Sequence, residues 1–293
     1  MSAESMRAPV RIGTWFWRLA LIVALSCLAA PFPAGDVAAK AKERGGVTPQ
    51  IINGYQVASE QDTFMAALLL KNKPGTPFDK QYCGGSVIAP DWVLTAAHCV
   101  KGQKASNLAV FVGNVDLTKS GTTIDVEQIF IDPTYNAAHT SNDAALVQLK
   151  SSVPAGVTPI SLVAPGDGQF DRDQTPVSVA GWGAQIEHAP YDYPEVLRQA
   201  DIQIQADALC ARRRSYGRSF RAASMLCAGT TQKPMTDSCY GDSGGPLFAD
   251  ASSNPVEVGI VSWGRGCAQL GFPGIYTRLS DPAIANWIRA TMP

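Results

Sequence analysis

The sequence predicts an all-β fold closed by a C-terminal helix, and three observations carry that reading. Short β-branched runs recur between turns, glycine and proline are scattered rather than periodic, and one capped amphipathic segment stands at the C-terminal end. The runs fall at 86–89, 109–112, 126–131, 144–149, 177–180, 200–205, 256–261 and 274–278. Regular short strands of this kind suggest a sandwich or barrels rather than alternating β and α units. The 26 glycines and 20 prolines punctuate turns, since no internal repeat or low-complexity tract accompanies them. Asp281 followed by Pro282 is a capped helix start, and Ile284, Trp287 and Ile288 then share one face at helical spacing. A helix over about 282–290 is therefore expected to dock on the strands. A polar, turn-rich stretch at 165–176 divides the runs into two sets and is the expected domain boundary.

The N-terminal segment has a different character. Arg7, Arg11 and Arg18 precede an apolar run from Leu19 to Ala30, and Pro31 and Pro33 follow it. Basic, then apolar, then small residues is the order of a secretory signal. The run is shorter than the roughly 20 apolar residues of a membrane span. Residues 1–39 are expected as a signal peptide, with cleavage after Ala29 or Ala39 both suitable, which makes the product secreted, extracellular or periplasmic. Residues 51–293 carry 18 basic and 22 acidic residues, a net charge of −4, so nucleic acid is not an expected partner. Cys27 leaves with the signal. The remaining Cys83, Cys99, Cys210, Cys227, Cys239 and Cys267 are even in number, which in a secreted chain implies disulfides of undetermined connectivity. No Cys-x-x-Cys or His-Glu-x-x-His occurs and there are three histidines, so no metal or other cofactor is expected.

The residues able to do acyl-transfer chemistry are few. Ser243 lies in Gly241-Asp242-Ser243-Gly244-Gly245-Pro246, where flanking glycines let the backbone turn sharply and bring N–H groups close to a substrate carbonyl. Taken alone, that string is equally a glycine-rich turn with an incidental serine. It also fits the nucleophile elbow of α/β-hydrolases, but those run serine, acid, histidine, and here His98, His139 and His188 all precede Ser243. His98 follows the apolar Trp92-Val93-Leu94 and adjoins Cys99, so a disulfide can hold its ring rigidly toward a cleft, as a general base requires. A packed core histidine is the plain alternative. His139 and His188 lie in polar segments and are expected in solvent. Asp143 opens an apolar strand, where a buried carboxylate needs a partner such as an imidazole N–H; a strand-start aspartate facing water is the plain alternative.

The strings Thr95-Ala96-Ala97-His98-Cys99, Asn142-Asp143-Ala144-Ala145-Leu146, Gly241 to Pro246, Val261-Ser262-Trp263-Gly264 and Pro273-Gly274-Ile275-Tyr276-Thr277 occur in that order. Together they resemble the chymotrypsin family of serine proteases, trypsin-type, from Ile51 to Pro293. The resemblance implies two antiparallel six-stranded β-barrels, about 51–162 and 177–279, with the site between them. It implies Ser243 as nucleophile, His98 as base and then acid, Asp143 as its orienting partner, and the N–H groups of Gly241 and Ser243 as oxyanion hole. It pairs Cys83 with Cys99, Cys210 with Cys227 and Cys239 with Cys267, which uses every mature cysteine.

The same resemblance places Asp237 at the floor of the primary pocket, with Gly264 and Gly274 as walls that keep it open. Such a slot selects Arg or Lys before the scissile bond, because a desolvated ion pair is favoured over an apolar group that leaves the acid unpaired. Ser262, Trp263 and Gly264 would pair with the substrate backbone as an added strand. Ile51 looks like a mature N-terminus whose freed amino group pairs with Asp242, which makes residues 40–50 a propeptide and the chain a zymogen. Gln50 precedes Ile51, so a separate activating protease is expected. The partners implied are protein or peptide substrates, with the processed enzyme a monomer without stable membrane association. Departures from the pattern are also visible. The 114–123 segment lacks paired glutamates, so no calcium site is carried over; Tyr240 replaces a common glutamine and is expected to narrow the pocket mouth. Arg212, Arg213, Arg214, Arg218 and Arg221 crowd one segment and read as a solvated basic face, with an exosite for acidic partners or a self-cleavage region as the alternatives. The alternatives are an inactive homologue acting as a binding protein, which would normally lose a triad member, and a protease of other primary specificity, which would not need Asp237.

Overall fold

The computed structural model describes residues 51–58, 63–188, 191–251 and 254–292; the expected signal peptide and propeptide lie outside the described residues. After the short β1 (Tyr55–Gln56) come β2 (Met65–Leu70), the single-turn α1 (Pro77–Lys80), β3 (Gln81–Ala89), β4 (Trp92–Thr95), the single-turn α2 (Ala97–Val100), β5 (Leu108–Val112), β6 (Thr122–Ile131) and β7 (Ala145–Leu149). Strands β2 to β7 close an antiparallel barrel in the order β2-β3-β4-β7-β6-β5. A connection through β8 (Ser161–Leu162) leads to β9 (Pro176–Gly181), β10 (Arg198–Ile204), α3 (Asp207–Cys210), β11 (Met225–Gly229), β12 (Pro246–Ala251), β13 (Asn254–Trp263) and β14 (Gly274–Arg278). Here β9 pairs with both β10 and β12, which closes a second six-stranded antiparallel barrel. The fold class expected from the sequence is the one observed.

The chain ends in α4 (Pro282–Thr291). Asp281 accepts a hydrogen bond from Ala283 N at 2.9 Å, satisfying one of the orphan donors of the first turn, and Pro282 needs no acceptor there. Ile284, Ala285 and Ile288 are buried, Ile284 and Ile288 within a core cluster that draws residues from both barrels, and Trp287 packs partly buried against that cluster. The 165–176 stretch is no free linker. Gly166 N donates to Ser280 O, and Asp171 pairs with Arg278 and accepts from Ser280 Oγ, so a charged network pins the connection to the second barrel. The three disulfides join the pairs that the resemblance implies.

The barrels meet through polar contacts as well as apolar ones. Glu257 on β13 is fully buried; its Oε2 accepts from Ser86 Oγ of β3 at 2.6 Å, and its Oε1 has no hydrogen-bond partner among the described residues. Burial pushes this carboxyl up to about 8, against the weaker opposing effect of the Ser86 hydrogen bond. A folded-state value raised above the unfolded value of about 4.3 means the contribution to stability is complete below that pH and is lost as pH rises through about 8. Stability should thus fall over this window with a slope of about 1.4 kcal/mol per pH unit from this group. Glu257→Gln keeps the shape and removes the titration. Denaturant midpoints measured at pH 5 and pH 8 should show a smaller decline in the variant than in the wild type; equal declines would mean that Glu257 ionises freely in place.

Candidate active site

The 241–246 loop between β11 and β12 is fastened from both barrels. Gly84 N of β3 donates to Ser243 O at 2.8 Å, Gly244 N donates to Val261 O at 2.8 Å, and Gly245 N donates to Asp242 O at 2.9 Å. Asp242 N is engaged by Cys239 O at 3.0 Å. Among the described residues, the N–H groups of Gly241 and Ser243 have no acceptor, although their neighbours at 242, 244 and 245 are all engaged. A side chain at Gly244, where φ is +84°, would overlap Thr95 Oγ1, so only glycine lets the loop lie this close to the strand that leads into His98.

His98 sits in α2, directly after β4 and beside the Cys83–Cys99 disulfide. Its backbone N donates to Asp143 Oδ1 at 2.8 Å, and its ring Nδ1 lies 2.7 Å from Asp143 Oδ2. With Nδ1–H donating to a carboxylate, Nε2 is left as the acceptor nitrogen. Asp143 is fully buried and accepts a further hydrogen bond from Ser262 Oγ at 2.6 Å, while Thr277 Oγ1 donates to its backbone O at 2.9 Å. Cys99 Sγ is 3.7 Å from His98 Nε2 and 3.5 Å from Ser243 O, so the ring and the serine flank one sulfur. No hydrogen bond joins Nε2 to Ser243 Oγ among the described residues; such contacts commonly tighten only when substrate enters. Cys83, His98 and Cys99 bring three donor atoms close together, but both sulfurs are committed to a disulfide and are not thiolate ligands. His139 and His188 are exposed.

A cavity of about 240 Å³ opens beside the serine, lined by Asp237, Ser243, Trp263, Gly264 and Gly274 among others. Asp237 is buried, and its carboxylate accepts from Ser238 N at 2.8 Å and Ala268 N at 3.3 Å. Desolvation outweighs these bonds and pushes the carboxyl up to about 7. At Gly274 a Cβ would lie 2.5 Å from Asp237 Oδ1, so the missing side chain is what leaves this oxygen accessible to the cavity. Strand β12 leaves β13 near Val261, which gives 262–264 an open edge on that side.

The sequence reading missed several groups. It assigned Ser262 only to the substrate backbone, whereas the register slips between Val261 and Trp263, and this bulge turns the Ser262 hydroxyl onto Asp143. Gln81 Nε2 donates to Gly241 O at 2.9 Å, steadying the glycine from the first barrel. Tyr240 stands at the cavity rim, 49% exposed, with its ring 5.2 Å from Tyr191, which in turn lies 6.0 Å from Tyr193. The Tyr191-Asp192-Tyr193 spacing was the available signal for this aromatic ledge.

Residues 51–288 match the family described as Trypsin. The chain is 36% identical over 244 residues to Trypsin-1 of Astacus astacus, covering 80% of this chain and 93% of that protein. It is 34% identical over 249 residues to Hypodermin-B of Hypoderma lineatum, covering 83% of this chain and 90% of the relative. Ovochymase of Halocynthia roretzi is 31% identical over 283 residues, which is 91% of this chain and 17% of that much longer protein.

Proposed function

We propose that this chain, which belongs to the trypsin family of serine proteases, is a secreted endopeptidase that cleaves after Arg or Lys and is made as a zymogen. The observation that carries this reading is a single cavity lined by both Asp237 and Ser243, with the His98–Asp143 pair beside it. A cationic side chain enters and pairs with Asp237, which puts the following carbonyl at Ser243. Ser243 Oγ attacks the carbonyl carbon as His98 Nε2 takes the hydroxyl proton, and the oxyanion receives the free N–H groups of Gly241 and Ser243. The imidazolium, stabilised by Asp143, then protonates the departing amine; water repeats the sequence on the acyl-enzyme. Protein processed to begin at Ile51 should hydrolyse Arg and Lys amides and leave Phe and Ala amides nearly untouched. Preference for Phe or Ala would overturn the specificity.

The zymogen reading rests on the surroundings of Asp242. Its buried carboxylate accepts from Gly183 N at 2.7 Å and Cys239 N at 2.8 Å, and no ion pair reaches it among the described residues. Burial pushes it up to about 7. Ile51 is buried, while Ile52 bridges to Asp237 and packs on Ala184 and Cys239, next to the two N–H groups that hold Asp242. Cleavage before Ile51 would free an α-ammonium group in this neighbourhood and pair the acid. That partner raises the amino group's own value above about 7.7 to 8.0, so its contribution is complete below that range and is lost as pH rises through the folded value. Because Gln50 precedes Ile51, an enzyme that selects Arg or Lys should not activate itself. N-terminal sequencing of active material should read Ile-Ile-Asn-Gly, and Gln50→Arg should yield a self-activating protein. Full activity in a species that starts upstream of Ile51 would refute the insertion mechanism.

A further inference from the structure

Five arginines stand within 208–223 with no acidic residue among them, against the net charge of −4 of residues 51–293. Arg212, Arg213, Arg214, Arg218 and Arg221 are all exposed, and none of their side chains makes an ion pair or hydrogen bond among the described residues. The loop that carries them is held rigidly. The Cys210–Cys227 disulfide closes it, and Phe220 is buried with Met225 and Ile275, so the apolar residues face the barrel and the arginines face out. At its centre Tyr216 packs edge-on against Trp263, with centroids 4.9 Å apart, and its hydroxyl donates to Pro273 O at 2.7 Å.

These contacts tie the basic loop to the wall of the substrate cavity, since Trp263 lines it. The same Tyr216 hydroxyl accepts from Arg265 N at 3.3 Å, which adds a sixth exposed arginine at the end of β13. Arg265 lies over the Phe272 ring at 4.5 Å, and Glu187, which approaches the same turn, is held by Gln269 Nε2. A substrate strand that pairs antiparallel with the open edge at 262–264 carries its upstream residues past Gly264 toward Arg265 and the Tyr216 loop.

We infer that this arginine surface is a recognition site for acidic residues that precede the scissile bond, so the preferred substrates are proteins with an acidic stretch shortly before the Arg or Lys. The inference rests on the proposed endopeptidase activity and names the substrates of that same cleft. Exposed charge pairs are individually weak, but an unopposed cluster beside a cleft raises local substrate concentration and association rate, and salt screens it.

The test uses processed protein and fluorogenic peptides cut after Arg, with three Asp or three Asn residues at the third to fifth positions before the cut. At low salt the Asp peptide should have a kcat/KM about tenfold above the Asn peptide, falling toward parity near 0.5 M NaCl. The combined Arg212→Gln, Arg213→Gln, Arg214→Gln variant should lose the preference and retain the wild-type rate on the Asn peptide. Equal rates at low salt, or a preference that survives the substitutions, would overturn the inference. A parallel pair cut after Phe separates the two readings: if only that pair is hydrolysed the Arg/Lys assignment fails, and its own Asp-to-Asn ratio still judges the loop. Heparin binding with a ratio of one would reassign the surface to a sulfated polysaccharide and overturn the peptide assignment.

Discussion

Ser243→Ala is expected to lower kcat on an Arg amide by about 10⁵- to 10⁶-fold while leaving the thermal midpoint unchanged. The two halves of this expectation have separate causes. On the proposed mechanism the hydroxyl is the attacking atom, so His98, Asp143 and the free N–H groups of Gly241 and Ser243 have nothing to act on without it. The loop itself is fastened by backbone bonds from Gly84, Gly244 and Gly245 and by the buried Asp242 carboxylate, and Ser243 Oγ makes no hydrogen bond among the described residues. Removing one oxygen from a half-buried site therefore leaves the architecture intact. A cationic amidine that binds the cavity should still bind the variant, which measures Asp237 independently of turnover. Wild-type protein that turns over no faster than Ser243→Ala after processing would identify an inactive homologue acting as a binding protein.

Much of the site was legible because its chemistry is written in short local strings. His98 and the cysteine that steadies it are adjacent, Ser243 and the glycine proposed for the oxyanion hole are two residues apart, and the Asp281-Pro282 start of α4 needs no tertiary information. What escaped depends on distant surfaces. Strand β2 (Met65–Leu70) is buried on both faces for five of its six residues, so its apolar run carries no alternation to mark it as a strand. Glu257 between Val256 and Val258 reads as the solvent face of an alternating strand, yet β8 pairs beside it and Ser86 of the other barrel covers it. The bulge at Ser262 is equally invisible, because it arises from the register between β13 and β14 rather than from any residue in Val261-Ser262-Trp263. The disulfide pairing came through resemblance, since spacing alone left it open.

Asp237→Ser should lower kcat/KM for Arg and Lys substrates by about 10⁴-fold, about 5.5 kcal/mol, while slow cleavage after uncharged residues persists. The size follows from burial. The carboxyl lies in a site dry enough to hold it near 7 when no cation is present, so an entering guanidinium gains a partner that water does not compete for. On the proposed Arg/Lys specificity, the same shift should make discrimination depend on pH. Below about 7 the empty pocket holds a neutral acid, and a cationic side chain must displace a proton to bind. The ratio of kcat/KM on Arg to that on Phe cancels the titration of the common base; it should fall as pH drops below about 7 in the wild type and stay flat in the variant. Stability should move in the opposite sense. A raised folded-state value means the group's contribution is complete below about 3.9 and is lost as pH rises through about 7, so the variant gains on the wild type between pH 4 and pH 8. If Arg preference survived the substitution, another carboxylate would be reading the substrate. If the wild-type ratio were flat with pH, Asp237 would not be the titrating floor of the cavity.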